Sequence, residues 1–206
     1  MLPVAQLQQK KFWIRVGVCA LVVIVGGLWA RRSIQRSQAR NLLNEQAGFR
    51  SPALEVSFPR LVTANPASEE LLQPGDRLGL WTLHRRQGPP DSLEVRLTDR
   101  GRRLFSVVGN QILATFQIGT REVTRVVELQ GSSGSRRVRF RYAWKDLHPN
   151  IEVLGTTAPE LGTEYEGEAL LLYENDRWHV LHWTTPQLDD AVGRFRTLKP
   201  APGDGA

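Results

Sequence analysis

RVRFRYAW, residues 137–144, alternates large apolar side chains with a second set that is arginine except at Ala143. Successive side chains on an extended strand point to opposite faces. Val138, Phe140, Tyr142 and Trp144 therefore form one apolar face, and Arg137, Arg139 and Arg141 the other. One side is core and one is wet, as in an antiparallel sheet covered on a single face.

Working outward, Ile112–Ile118 and Glu122–Leu129 are rich in β-formers, and Gly131-Ser132-Ser133-Gly134-Ser135 joins the second of them to the arginine strand. This loop connects strand to strand and lacks the length and Lys-Ser/Thr ending of a P-loop, so it reads as a hairpin. Ala169–Tyr173 and Trp178–Thr184 flank Glu174-Asn175-Asp176, whose Asn and Asp supply tight-turn conformations. Toward the N-terminus, Leu54–Phe58, Leu78–Leu83 and Leu93–Leu97 are further strand candidates. Pro66–Leu72 reads as a short helix with Ser68 ahead of Glu69 and Glu70, ended by a turn at Pro74-Gly75-Asp76. Thr98-Asp99 can cap a second helix through Val107 that buries Leu104, Phe105 and Val108. Leu188–Leu198 reads as a closing helix, and residues 199–206 as a disordered tail.

FWIRVGVCALVVIVGGLWA, residues 12–30, is apolar except for Arg15 and is closed by Arg31 and Arg32. At ~1.5 Å per residue its nineteen residues cover roughly 28 Å, the hydrocarbon thickness of a bilayer. Trp13 and Trp29 fall near the two interfaces. No polar stripe interrupts Val16–Leu28, which argues against an amphipathic core helix. The competing reading is a cleaved signal peptide with Lys10-Lys11 as its basic region, but the arginines after Ala30 favour a stop over processing. The chain thus divides into a short basic tail (1–11), a transmembrane helix (12–30), a basic juxtamembrane helix (31–48) and a soluble α+β domain (49–198). Arg32, Arg36 and Arg40 recur every fourth residue, so on a helix they form one stripe that can meet anionic headgroups, at about 1 kcal/mol each. The same helix could instead set Ile34, Leu42 and Leu43 on a partner.

The net charge of +6 misleads about the folded part. Residues 1–40 carry seven basic and no acidic side chains, leaving 20 basic and 21 acidic for the rest. A nucleic-acid-binding domain would itself be basic, so nucleic acid is not an expected partner. Charge is polarised along the chain, with 13 basic and 5 acidic residues in 85–145 against 4 and 11 in 146–206. Either the two segments neutralise each other across a sheet, or the basic one meets an acidic partner or lipid. The arginines beyond the span compete with the Lys10-Lys11 tail in setting orientation. A short basic tail before an apolar run is the look of a signal-anchor, which places the domain outside the cytoplasm, in the periplasm of a bacterial cell inner membrane.

Catalytic chemistry has no named candidate. There is no G-x-S-x-G elbow, and Cys19 lies within the apolar run. His179 and His182 are three apart, which on a regular strand places them on opposite faces, so no metal is expected. Glu164, Glu166 and Glu168 would share one face as a solvated row opposite arginines. Trp81, Trp144, Trp178 and Trp183 either fill the core or, with Arg137, Arg139 and Arg141, contribute to a ligand or partner surface.

Helices followed by a curved antiparallel sheet of four to six strands make an α+β layout. Behind a single N-terminal span, this order resembles the membrane-anchored NTF2-like or cystatin-like domains of bacterial secretion and envelope machines. The resemblance is one of architecture and carries no functional residue. The expected function is a non-catalytic accessory or scaffold subunit, without cofactor, that contacts membrane lipid and other membrane proteins. The alternative is a tethered carrier or sensor whose sheet cups a lipid or small apolar molecule.

The assignment of faces on 137–144 has a direct test. Phe140→Ala or Tyr142→Ala should cost roughly 3 to 5 kcal/mol in chemical denaturation, and Arg139→Ala no more than about 0.5. The opposite ranking would mean that the two faces are exchanged.

Overall fold

Two strands that bend and change partners set the architecture. The computed structural model describes residues 26–27 and 29–201. Helix α1 covers residues 29–45 and is followed by α2 (Ala47–Arg50), β1 (Ala53–Pro59), β2 (Leu61–Thr63), α3 (Pro66–Arg77), β3 (Trp81–Arg86) and β4 (Ser92–Leu97). Then come β5 (Ser106–Val108), β6 (Gln111–Gln117), β7 (Gly119–Gly131), β8 (Ser135–Leu147), β9 (Glu164–Glu174), β10 (Arg177–Thr184) and α4 (Pro186–Arg196). The tail 1–11 and most of the expected span, with Trp13 and Cys19, lie outside the described residues. Among the described residues no helix is long and apolar enough to cross a membrane.

The fold is α+β with antiparallel sheets, but the strands form three sheets rather than one: β1-β6-β5, β2-β4-β3 and β10-β9-β8-β7. β1 continues into β2 across Arg60, whose N–H donates to the Asn110 carbonyl (2.8 Å) and whose carbonyl accepts from Val95 N–H (2.8 Å). β6 continues into β7 across Ile118, whose N–H donates to the Pro52 carbonyl (3.3 Å) and whose carbonyl accepts from His148 N–H (2.6 Å). Gly119 makes this corner, because a Cβ there would lie 2.2 Å from the Asp146 carbonyl oxygen. Three register shifts along β7 add twist, curving the four-stranded sheet.

The concave face carries the core. Val138, Phe140, Tyr142 and Trp144 are all buried, as the alternation requires, and pack with Ala39 and Leu43 of α1 and Phe49 of α2. Phe49 stands edge-on to Phe140 (5.5 Å), Tyr142 (5.9 Å) and Trp183 (6.4 Å). A second aromatic group fills the other end, where Trp81 meets Phe58 (5.5 Å) and Phe105 (5.4 Å), and Phe58 meets Phe195 of α4 (5.7 Å).

Several local expectations are corrected by tertiary contacts. The turn expected at Pro74-Gly75-Asp76 lies inside α3, where the Trp81 ring covers Gly75 so closely that a Cβ would sit 1.9 Å from it. Trp81 also donates its indole N–H to the Leu72 carbonyl at 2.9 Å, which fixes the ring on the helix. The N-cap of α3 is Asn65, with Ser68 returning its hydroxyl to Asn65 N–H in a capping box. The helix expected from Thr98 to Val107 shrinks to a 3-10 turn at Gly101–Arg103, because Gly101 abuts the Leu80 carbonyl and Ser106–Val108 pairs with β6. Leu104 and Phe105 still face inward, but Val108 is exposed. The helix expected over 31–48 breaks at Gln46, and Gly48 lies inside α2. Pro149–Thr157 forms 3-10 turns that bury Ile151, Val153 and Leu154, an element with no helical periodicity to announce it. The tail does not begin at 199, since Val62 bridges Pro200 and Ala201 N–H donates to the Leu61 carbonyl (3.1 Å).

One carboxylate is buried on the central strand β4. Glu94, with 5% of its side chain exposed, receives Arg60 (3.0 Å), Arg86 (2.7 Å) and Arg96 (2.8 Å). The hydrogen bond from Arg96, reinforced by Arg86 and opposed by burial, holds its pKa at about 2 instead of 4.5. The fold therefore prefers the ionised form, and that contribution is complete above pH 4.5 and is lost as pH falls toward 2. Glu94→Gln should cost about 1 to 3 kcal/mol at neutral pH and flatten the acid limb of stability between pH 4.5 and 2, measured by urea denaturation across that range. An unchanged acid limb would show that Glu94 is not the group whose protonation destabilises the fold.

Candidate functional site

β7 is an edge strand, and its outward backbone groups need partners. Helix α1 supplies them. Asn44 accepts from Val123 N–H through Oδ1 (2.8 Å), Arg40 Nε donates to the Val123 carbonyl (3.0 Å), and Arg36 Nη2 donates to the Val127 carbonyl (3.4 Å). Residues 36, 40 and 44 are four apart, so they lie along one side of the helix. The arginine stripe expected to meet headgroups is thus partly spent on the sheet, and Arg32 continues it beyond the last of these bonds. Ile34, expected on a partner-facing side, is exposed, while Leu43 is buried against the sheet.

Beyond Arg36 the helix and sheet diverge and leave a cleft of about 750 Å³. Arg31, Arg32 and Arg36 line one wall, and Arg136, Tyr173 and Trp178 the other. Arg136 belongs to the inner face, two residues before Val138, and its guanidinium stacks on the Trp178 ring at 4.0 Å. Burial lowers the pKa of Arg136, and the neighbouring Arg31 lowers it further. The one carboxylate in the wall, Glu128, pairs outside the cleft with Arg139 at 3.5 Å. Among the described residues no carboxylate pairs with Arg31, Arg32, Arg36 or Arg136. Trp29, one turn above, is 75% exposed.

The remaining sequence candidates fall elsewhere. Trp81 and Trp144 are enclosed in the core and contribute to no surface; Trp178 and Trp183 are half-buried on the inner face. Arg137, Arg139 and Arg141 are on the outer face. There Arg141 reaches Glu164 (3.5 Å) and Glu166 (3.3 Å), and Arg125 reaches Glu164 (3.5 Å). The basic and acidic segments therefore meet across neighbouring strands. His179 and His182 are not on opposite faces, because a bulge between Val180 and His182 sets both on the outer face, opposite Leu172 and Leu170. Among the described residues no three His, Cys, Asp or Glu side chains cluster to hold a metal.

Besides Glu94, two charged residues of consequence escaped the sequence reading. Arg121, 2% exposed, lies over Phe49 (4.5 Å), Tyr142 (4.8 Å) and Trp144 (5.4 Å) and donates Nε to the Phe49 carbonyl (2.7 Å). Its burial pushes its pKa down to about 10, so the charge is disfavoured in the fold and is held by the aromatic faces and the carbonyl. Arg136 was missed because it precedes the alternating run; the parity of Val138 and Phe140 would have placed it inside. No protein-family model, curated protein or solved structure matches this chain.

The clamp between α1 and β7 has a measurable strength. Asn44→Ala leaves Val123 N–H without its acceptor and should cost about 1 to 2 kcal/mol, and Arg40→Ala a similar amount. Arg32→Ala, further out on the same stripe, should stay within about 0.5 kcal/mol. Urea denaturation of the full chain in neutral detergent ranks the three, and an equal cost for all would show that the stripe does not clamp the edge.

Proposed function

We propose that this chain is a single-pass, membrane-anchored accessory or scaffold subunit of a membrane or envelope protein complex, with no catalytic role of its own. The observation that carries this reading is α1. Residues 26–27 and 29–45 are helical, and the helix buries Ala39 and Leu43 in the core while clamping β7. An apolar run of bilayer length at 12–30 would then feed the domain through helix instead of a flexible linker. Such a domain is held at a set height and orientation, which suits a part that positions partners. The order of elements departs from the expected helices-then-sheet layout of NTF2-like and cystatin-like domains, since α3 lies between β2 and β3 and α4 follows the last strand, so the reading draws on α1 and not on that resemblance. The carrier reading draws less support, because Phe49, Phe140, Tyr142 and Trp144 occupy the concave face that would cup an apolar ligand.

The proposed orientation places residues 31–206 outside the cytoplasm, in the periplasm where the cell has two membranes, and the basic Lys10-Lys11 pair ahead of the apolar run supports it. Paired reporters fused after Ala206, one active only when exported and one only in the cytoplasm, should report export. Cytoplasmic activity alone overturns the orientation. Mild detergent extraction followed by size exclusion should yield a complex with other membrane proteins, and a strictly monomeric chain with nothing co-purifying overturns the scaffold role.

A further inference from the structure

We propose that the cleft between the start of α1 and the inner face of the four-stranded sheet binds a phosphate-bearing anion through Arg31, Arg32, Arg36 and Arg136. The inference rests on the anchored reading for where the anion comes from, but not for the site itself.

Four guanidinium groups line one cleft, and no carboxylate pairs with any of them among the described residues. On the outer face of the same sheet Arg125, Arg139 and Arg141 each have a carboxylate within 3.5 Å, while Arg137 of β8 is in no ion pair among the described residues. Clustering without counter-charge is unfavourable unless an anion completes it, since each guanidinium raises the cost of the next. Burial is the main cause that lowers the pKa of Arg136, and the smaller contribution from Arg31 is that repulsion expressed at one residue.

Two of the four are also held in place. Arg136 is stacked on Trp178, and Arg36 is tied to the Val127 carbonyl through one nitrogen, which leaves other N–H groups for a ligand. Planar, forked donors on two facing walls suit a tetrahedral anion with several acceptor oxygens. A volume of about 750 Å³ exceeds what a bare phosphate needs and can take the group esterified to it. Trp29 and Ile34 stand exposed on the helix that forms one wall, as expected where the cleft opens toward an interface. The same phosphate chemistry is offered by an anionic lipid headgroup and by a soluble phosphate ester.

The test uses the full chain, in nanodiscs of phosphatidylcholine alone, in nanodiscs with one third phosphatidylglycerol, and in neutral detergent with or without sn-glycerol 3-phosphate, reading thermal unfolding by intrinsic fluorescence. A rise in unfolding temperature that requires phosphatidylglycerol assigns the anion to a headgroup. A rise with glycerol phosphate in detergent assigns it to a soluble ester. Arg136→Gln and Arg31→Gln should each weaken the effect about tenfold in ligand concentration, with Arg136→Lys partly restoring it. Arg31→Gln alters an exposed helical residue, so it keeps the test valid if the Arg136 variant unfolds. Arg137→Gln removes the same charge from the outer face and should retain the full effect. No rise with either anion, or an equal loss in Arg137→Gln, overturns the site. Partner co-purification is indifferent to these outcomes, so the site and the scaffold role fail separately.

Discussion

The unpaired edge of β7 is the constraint on which the rest of the arrangement depends. A thirteen-residue strand with free backbone donors and acceptors is a template for pairing with another chain unless something covers it. Here the cover is a helix, through side chains at 36, 40 and 44, and the same helix lays Ala39 and Leu43 on the concave face. Edge protection and core formation are thus one event. It also makes α1 a layer of the fold, packed on the sheet through Ala39 and Leu43.

Two buried ionic arrangements hold the halves of the molecule in different ways. Arg121 pins the short α2 to the sheet through a carbonyl and three aromatic faces, at the cost of burying a charge. Glu94 gathers three arginines from β3, β4 and the β1–β2 bend, so the corner at which the strand changes sheets is tied by charge-assisted hydrogen bonds. Since Arg60, Arg86 and Arg96 are each about half exposed, most of the desolvation falls on Glu94 alone, and three donors to one carboxylate offset it.

What the sequence made legible was whatever local chemistry decides. The alternation in 137–144 located the inner face, Asn175 and Asp176 occupy the positive-φ turn their types suggest, and the outer glutamates of β9 face arginines. What it concealed was set by contacts distant along the chain. Pro74 and Gly75 signal a turn locally, yet the Trp81 ring and its bond to Leu72 keep them helical. A single bulge at Leu181 reverses the face of His182. The split into three sheets depends on Arg60 and Ile118 exchanging partners mid-strand, which no periodicity records. At the site, the stripe at 32, 36 and 40 was visible as a stripe, but which face of the fold it met was not.

The polarised charge of the chain finds its meaning in that last distinction. Most of the basic side chains in 85–145 are matched, Arg85 by Glu69 and Asp91, Lys145 by Glu122, and Arg139 and Arg141 of the outer face by β7 and β9 carboxylates. Neutralisation across strands accounts for these without any partner. Arg100, Arg103, Arg121, Arg136 and Arg137 are in no ion pair among the described residues, and of these Arg136 alone lines the cleft, together with Arg31 and Arg32 from the basic segment that follows the apolar run. Two stretches of sequence with unrelated reasons to be basic, a strand end and a helix start, are brought to one cleft by the packing of α1 on β7. The same helix placement that satisfies the sheet edge therefore also concentrates unmatched charge, and it does so at the end of the domain next to the apolar run.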